Sequence, residues 1–422
     1  MRRRVLLLCC VLSLPNPAAT ADAGDWSQFR GEGGQGHAEV QTAPLRWDGE
    51  SNVAWRVAVP GRGWSSPVVA DGRLYLTTAV AEGDDPRAYD APQVLRVLCL
   101  DAESGRTLWN VEVFRHDSTP IHPKNSHASP TPIVDGRRVF VHFGTQGTAS
   151  LTTDGEVVWR NRSIGYTPVH GGGGSPALVG RSLIFSADGA SQPFVVALDR
   201  DTGEQLWRTP RPPADGNQFA FSTPLPIDVA GRTQVVVPGA NHVCSYDPDS
   251  GEELWRVRYP GGFSVIPRPV FAHGLVFVSS GFMNPVLFAI RPDGRGDVTE
   301  SHVSWTEQRG IPRNASPLAV GDEVYVVADN GIASCFDART GRRHWQRRLS
   351  GDFSASPLYA AGRLYFLNEL GETTILEPGP SYTELARNDL GERTQASAAA
   401  VEGALFIRTE SGLYRLGGAT SR

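Results

Sequence analysis

The sequence predicts an all-β protein, an eight-bladed β-propeller of four-stranded antiparallel blades whose ring is closed by an N-terminal strand. Three observations carry this. A turn motif ending in tryptophan recurs as DAESGRTLW (101–109), DRDTGEQLW (199–207), DPDSGEELW (247–255) and DARTGRRHW (337–345), with a weaker copy in LTTDGEVVW (151–159). A second unit, mostly a small residue and proline followed by an apolar strand, a glycine turn and another β-rich strand, appears eight times. Its copies begin at Ser66, Ser129, Ser175, Thr223, Arg268, Ser316, Ser356 and Ser397. Finally, NVAWRVAVP (52–60) carries a tryptophan with no hairpin before it, whereas the eighth hairpin ends near Leu416 with no strand after it.

Taken in chain order, each piece has a physical reason. Arg2, Arg3 and Arg4 precede an apolar run at 5–14, and Ala21-Asp22-Ala23 is an A-x-A cleavage site, so residues 1–23 read as a signal peptide. Leu8 stands before Cys9 where a lipoprotein leader needs a small residue, so soluble export to the periplasm or beyond is expected. Residues 24–50 form an N-terminal extension, 51–417 the propeller and 418–422 a tail. In each hairpin, proline is tolerated at the first residue of the inner strand because no ladder donor is required there. In each D-x-x-T-G turn, the Asp and Ser/Thr side chains close the turn and glycine supplies the positive φ. The tryptophan that follows packs its ring between adjacent sheets. The seventh outer strand is the divergent SYTELARNDL (381–390), and the eighth is supplied by 52–60. Ring closure removes the open edges of a linear array. A chain of 422 residues that length alone would divide into two or three domains is therefore one ring.

Composition narrows the function classes. Lys+Arg 40 against Asp+Glu 45 gives a net charge of −5, and loss of the leader makes the rest more acidic, which disfavours nucleic acid. No apolar run beyond the leader reaches the length of a membrane helix, so an integral membrane protein is not expected. Cys99, Cys244 and Cys335 fall on corresponding strands of different units, too far apart for bridging, so no disulfide is expected. There is no G-x-S-x-G elbow, no H-E-x-x-H and no Walker loop, and VHGGGGSP enters a strand rather than a helix.

Chain direction assigns the loops to two faces. The glycine turns within the hairpins and the D-x-x-T-G turns share a uniform face. The inner-strand starts share the other with the long insert 78–94 and the loops HPKNSHASP, YTPVHGGGGSP, DGNQFAFSTP, GFSVIPRP, IPRNASP and GERTQAS. Binding concentrates where loops vary on a rigid frame. Candidate ligand-binding residues there are Trp64, Lys124, Asn125, His127, His170, Arg268, Arg313 and Asn314. Trp64 offers a stacking surface or packs on the next blade. Lys124, the sole lysine, stands with Asn125 and His127 at a strand start, as ligand contacts or as loop-closing hydrogen bonds. His170 precedes four glycines that let a backbone approach closely, or that serve a flexible crossover. Arg268, Arg313 and Asn314 would put a cationic fringe on the funnel or pair with blade carboxylates. Asp84 and Asp85 in the insert read as a cation site or as a solvated acidic pair.

The A-x-D-x-x-T-G-x-x-x-W repeat, with DWSQFRG (25–31) and PGRGWSSP (60–67), resembles the PQQ-like propeller repeat of quinoprotein alcohol dehydrogenases and BamB-like outer-membrane assembly proteins. The resemblance covers nearly the whole mature chain. On the dehydrogenase side it implies pyrroloquinoline quinone (PQQ) and Ca²⁺ over the funnel, a catalytic Asp and an adjacent cysteine pair. The adjacent pair here, Cys9-Cys10, lies in the leader, and no C-x-x-C-H haem motif is present. Asp188, Asn241, Asn284, Asp329 and Asn330 are the oxygen donors on the variable face. The expected function is accordingly a non-catalytic, monomeric scaffold or binding protein presenting its loop face to a protein partner or envelope component, with no required cofactor, no catalytic residue and the metal unassigned. The alternative is a propeller that holds a small ligand, or PQQ and Ca²⁺ as an oxidoreductase, in the funnel.

Overall fold

The structure is a computed structural model that describes residues 24–117, 119–213 and 216–418. The expected leader with Cys9 and Cys10, and the last four residues of the tail, lie outside the described residues. Eight sheets are arranged as blades, each built on four antiparallel strands. In blade 1 these are Val68–Ala70, Arg73–Ala81, Gln93–Asp101 and Thr107–His116, from the channel outward. Blade 8 takes Ala399–Val401, Ala404–Arg408 and Gly412–Leu416 from the end of the chain and Val53–Ala58 from its beginning. Val53 lies opposite Leu416 and Ala58 opposite Gly412, so the ring closes as the unpaired strand predicts.

The repeat is a device for joining neighbours. In each D-x-x-T-G turn the aspartate folds back on its own turn. Asp337 Oδ1, for example, accepts from Thr340 N at 2.8 Å and Thr340 Oγ1 at 2.7 Å. The glycine has φ near +70°, as at Gly105, Gly203, Gly251 and Gly341. Lack of a Cβ there also admits the tryptophan of the preceding blade: a Cβ on Gly341 would lie 2.6 Å from the Trp305 ring, and one on Gly105 would lie 2.8 Å from Trp55. The same indole donates Nε1–H to the turn's second residue, Trp55 to Ala102 O (3.2 Å), Trp159 to Arg200 O (3.0 Å), Trp207 to Pro248 O (3.0 Å) and Trp305 to Ala338 O (3.0 Å). Trp255 departs from this pattern. The blade-5 connection is expanded by Gly296–Asp297 and the helical turn Thr299–His302 and offers no such turn. Trp255 Nε1 bonds Gln234 Oε1 of its own blade instead, at 2.6 Å.

Two polar clusters seal the junction where the ends of the chain meet. Arg408 of blade 8 reaches Ser65 Oγ (2.7 Å) and Thr77 O (2.8 Å) of blade 1. Arg56 on the closing strand donates to Glu392, which also accepts from Thr409 (2.7 Å), Ser411 (2.6 Å) and Tyr414 (2.8 Å). Burial disfavours the Glu392 charge, but the hydrogen bonds from Ser411, Thr409, Tyr414 and Arg56 outweigh it and hold its pKa at about 2.

The extension at 24–50 does more than precede the ring. Its residues 26–38 thread the central channel from the uniform-turn side, and residues 41–47 leave it across blades 7 and 8. Trp26 bridges Val69 of blade 1, Ser27 O accepts from Val134 N of blade 2, and His37–Ala38 pairs in parallel with the inner strand of blade 7. Arg30 donates to Pro317 O at 2.7 Å and Pro357 O at 3.2 Å. Arg268 of blade 5 comes down to Phe29 O at 2.7 Å. The channel is thus blind, open only on the loop face. Cys99, Cys244 and Cys335 are buried and free.

Gly341→Ala and Gly362→Ala separate the two roles of the repeat glycine, because Gly362 shares the positive φ (+74°) and has open space where the Cβ would stand. In urea denaturation Gly362→Ala should cost about 1–2 kcal/mol from φ alone, and Gly341→Ala a further ~1–3 kcal/mol from overpacking Trp305. A carboxyl whose folded pKa is depressed stabilises above its unfolded value, here 4.5, and ceases to do so as pH falls through about 2. Melting curves across that window should therefore show Glu392→Gln less acid-sensitive than the wild type, though less stable at pH 7.

Candidate functional site

The blind funnel is a cavity of ≈ 500 Å³ at the inner-strand starts, within the size range of small-ligand sites. Its floor is a ring of side chains that stitch neighbouring blades together. Backbone N–H groups donate from Ser66 to Thr131 Oγ1 (3.0 Å), Thr131 to Ser175 Oγ (2.9 Å) and Ser175 to Thr223 Oγ1 (3.0 Å). They continue from Arg268 to Ser316 Oγ (3.0 Å), Ser316 to Ser356 Oγ (2.9 Å) and Ser356 to Ser397 Oγ (2.9 Å). Phe29 of the threaded extension lines the cavity with them.

The walls differ in character. Across blades 2 to 5 a train of aromatic rings runs outward: His122 to His170 (5.3 Å between centroids), His170 to Phe219 (5.3 Å), Phe219 to Phe263 (5.4 Å) and Phe263 to Phe282 (5.7 Å). It emerges as an exposed apolar rim of Ile266, Phe282 and Met283. The opposite wall is polar. Lys124 Nζ meets Glu369 Oε1 at 2.7 Å across the funnel, and Ser354 Oγ donates to the same oxygen at 2.6 Å. Asp329 accepts from Arg313 N (2.9 Å), Asn314 N (3.3 Å) and Asn314 Nδ2 (3.0 Å), while burial pushes its carboxyl pKa up. Burial and the neighbouring His122 lower the His170 pKa.

Trp64, Lys124, Asn125, His170, Arg313 and Asn314 all line the cavity. Asn125 clamps two loops, donating to His170 O (2.8 Å) and Gly172 O (3.1 Å). Arg313 lies over the Phe282 ring at 5.2 Å. Two expectations need correction. His127 bonds Tyr89 O of the long insert at 3.0 Å and packs tilted against His116, outside the cavity lining. Arg268 gives no cationic fringe: it is buried beneath the floor, bonded to carbonyls rather than to carboxylates, because its strand start turns the long side chain toward the extension. Of the oxygen donors, Asp188 is held by Arg211 in a buried two-point pair at 2.7 and 2.9 Å, closed to a cation. Asp84 and Asp85 are exposed. The phenylalanine train and Glu369 went unassigned in the sequence, although Phe219, Phe221 and Phe263 lie in loops marked as variable. Glu369 follows a strand end and carries no local signal.

A family model described as outer membrane protein assembly factor BamB matches residues 46–162, 191–310 and 286–413. The chain is 27% identical over 241 residues to a 1-butanol dehydrogenase (quinone) of Thauera butanivorans, an alignment covering 49% of this chain and 35% of that protein. It thus spans about a third of that curated relative. Among solved structures, BamB from Moraxella catarrhalis superposes with a TM-score of 0.61 at 12% identity, over 88% of this chain and 98% of that one. The quinohemoprotein alcohol dehydrogenase from Comamonas testosteroni superposes with a TM-score of 0.65 at 13% identity, over 96% and 82%. At these identities the superpositions show a shared fold.

For the quinone and Ca²⁺ that the dehydrogenase resemblance implies, the funnel offers few free oxygen donors. Calcium takes six to eight oxygens. Asp329 lines the cavity and Glu369 flanks it through Lys124 and Ser354, and both already accept from the chain's own donors. Among the described residues no three His, Cys, Asp or Glu side chains are grouped as metal ligands. The aromatic wall meets edge to face, at 76° and 64°, rather than presenting parallel faces for a flat ring.

Glu369 is mostly buried and Lys124 half-exposed. Lys124→Met should therefore lower stability by about 1–2 kcal/mol, between the values for exposed and buried pairs. The double variant Lys124→Met/Glu369→Gln should recover most of it in thermal denaturation.

Proposed function

The chain belongs to the outer membrane protein assembly factor BamB family, and on that footing we propose that it is an exported, non-catalytic binding propeller that seats an apolar segment of a protein partner on its loop face. One observation carries this reading: the aromatic train inside the funnel continues without a break to the exposed rim of Ile266, Phe282 and Met283. Apolar surface of this kind beside a concave, polar-rimmed site marks an interaction surface. Export rests on the basic, apolar and A-x-A pattern of the first 23 residues. Among the described residues no helix is long and apolar enough to cross a membrane.

The identity to a quinone-dependent dehydrogenase supports a second reading, a small-ligand or quinone-dependent oxidoreductase using the same funnel. The two readings separate experimentally. A photo-crosslinking amino acid at position 283 should capture one defined envelope protein in cells, and the same probe at Arg339, on the uniform-turn face, should not. Phe282→Asp should abolish the adduct. Equal labelling at both positions would sink the docking reading. A rise in melting temperature that requires PQQ and Ca²⁺ together would favour the oxidoreductase.

A further inference from the structure

The geometry points to a binding site for a small oxyanion, the carboxylate or phosphate group of a ligand, at the narrow end of the funnel. This site is independent of any partner seated on the rim. The six hydroxyls that stitch the floor, those of Thr131, Ser175, Thr223, Ser316, Ser356 and Ser397, each accept a backbone N–H. That engages the oxygen and leaves the O–H proton to be placed. Among the described residues none of these protons has an acceptor, and Ser66 Oγ has no partner of either kind. All seven residues line the cavity and are at most 7% exposed. These hydroxyls border the cavity, so a charged acceptor at its centre can take hydrogen bonds from several of them at once.

The charge beneath the ring decides what kind of acceptor this is. Arg268 occupies the blade-5 position of the ring, and its guanidinium turns below the floor to Phe29 O and Pro224 O. Arg30 lies close by, on Pro317 O and Pro357 O, the carbonyls next to Ser316 and Ser356 in the chain. Both guanidinium groups are buried, and among the described residues neither has a carboxylate within ion-pair distance. Burial lowers the pKa of each, and the proximity of Arg268 lowers that of Arg30 further. Two cations without counter-charge in a low-dielectric channel hold a positive potential along the axis. A ring of hydroxyls alone would suit a neutral polyol as well as an anion. The cations below select the anion. Neither wall carboxylate supplies the missing charge, because Glu369 is taken by Lys124 and Ser354, and Asp329 by Arg313 N and Asn314.

The test uses the full mature chain, with inorganic phosphate and acetate titrated separately against chloride at constant ionic strength, followed by calorimetry and melting temperature. Saturable binding of at least one is expected, and the tighter of the two identifies the source as phosphate or carboxylate. Ser66→Ala is the decisive variant, since that hydroxyl stitches nothing. It should melt like the wild type in chloride and bind the anion about ten-fold more weakly, the loss of one hydrogen bond to a charged group. Arg268→Met should abolish binding, and if it fails to fold the Ser66 arm still decides. Absence of saturable binding by both anions would overturn the site. So would an equal rise in melting temperature for Ser66→Ala and wild type, which is the general stabilisation by excluded salts.

Discussion

One interaction recurs around most of the ring and the rest of the structure depends on it: the tryptophan of one blade lying over the glycine of the next blade's turn and donating to a carbonyl of that turn. It converts a local turn preference into a contact between sheets. The turn needs glycine for its φ, and the neighbour needs the same glycine for its missing Cβ, so one residue answers both demands. Where blade 5 expands its turn, Trp255 loses the carbonyl and bonds within its own blade. Trp345 keeps a carbonyl partner, Gly379 O, although blade 7 has no D-x-x-T-G turn.

A ring held from its periphery leaves a hole at its centre, and an eight-bladed ring leaves a wide one. Residues 26–38 of the extension fill the half on the uniform-turn side. Arg30, together with Arg268, bonds to carbonyls at the starts of the inner strands. What remains is a blind funnel with a hydroxyl floor, one aromatic wall and one polar wall. That asymmetry sets an apolar rim apart from a cationic base.

Legibility in the sequence followed the period. The blade count, the closing strand and the sorting of loops onto two faces were readable because each depends on residues within a dozen positions of one another, repeated often enough to reveal a rule. Six of the eight candidate residues line the cavity for the same reason: strand starts in a propeller converge on its axis. His127 and Arg268 failed because position on the face does not set side-chain direction. His127 turns to Tyr89 in the long insert, and Arg268 turns through the floor to a segment some 240 residues away. The motif DWSQFRG was visible as a signature, but its role as a plug was not, since its partners are spread over the inner strands of several blades.

The sequence by itself determined the architecture, because turn chemistry and strand pattern are local and the repeat multiplies them. Only the tertiary structure decided which charges meet. The Lys124–Glu369 pair and the uncompensated Arg30 and Arg268 join residues from different blades or from the extension. Their separation in the chain carries no period, and the electrostatics of the funnel arise only once the ring has closed around them.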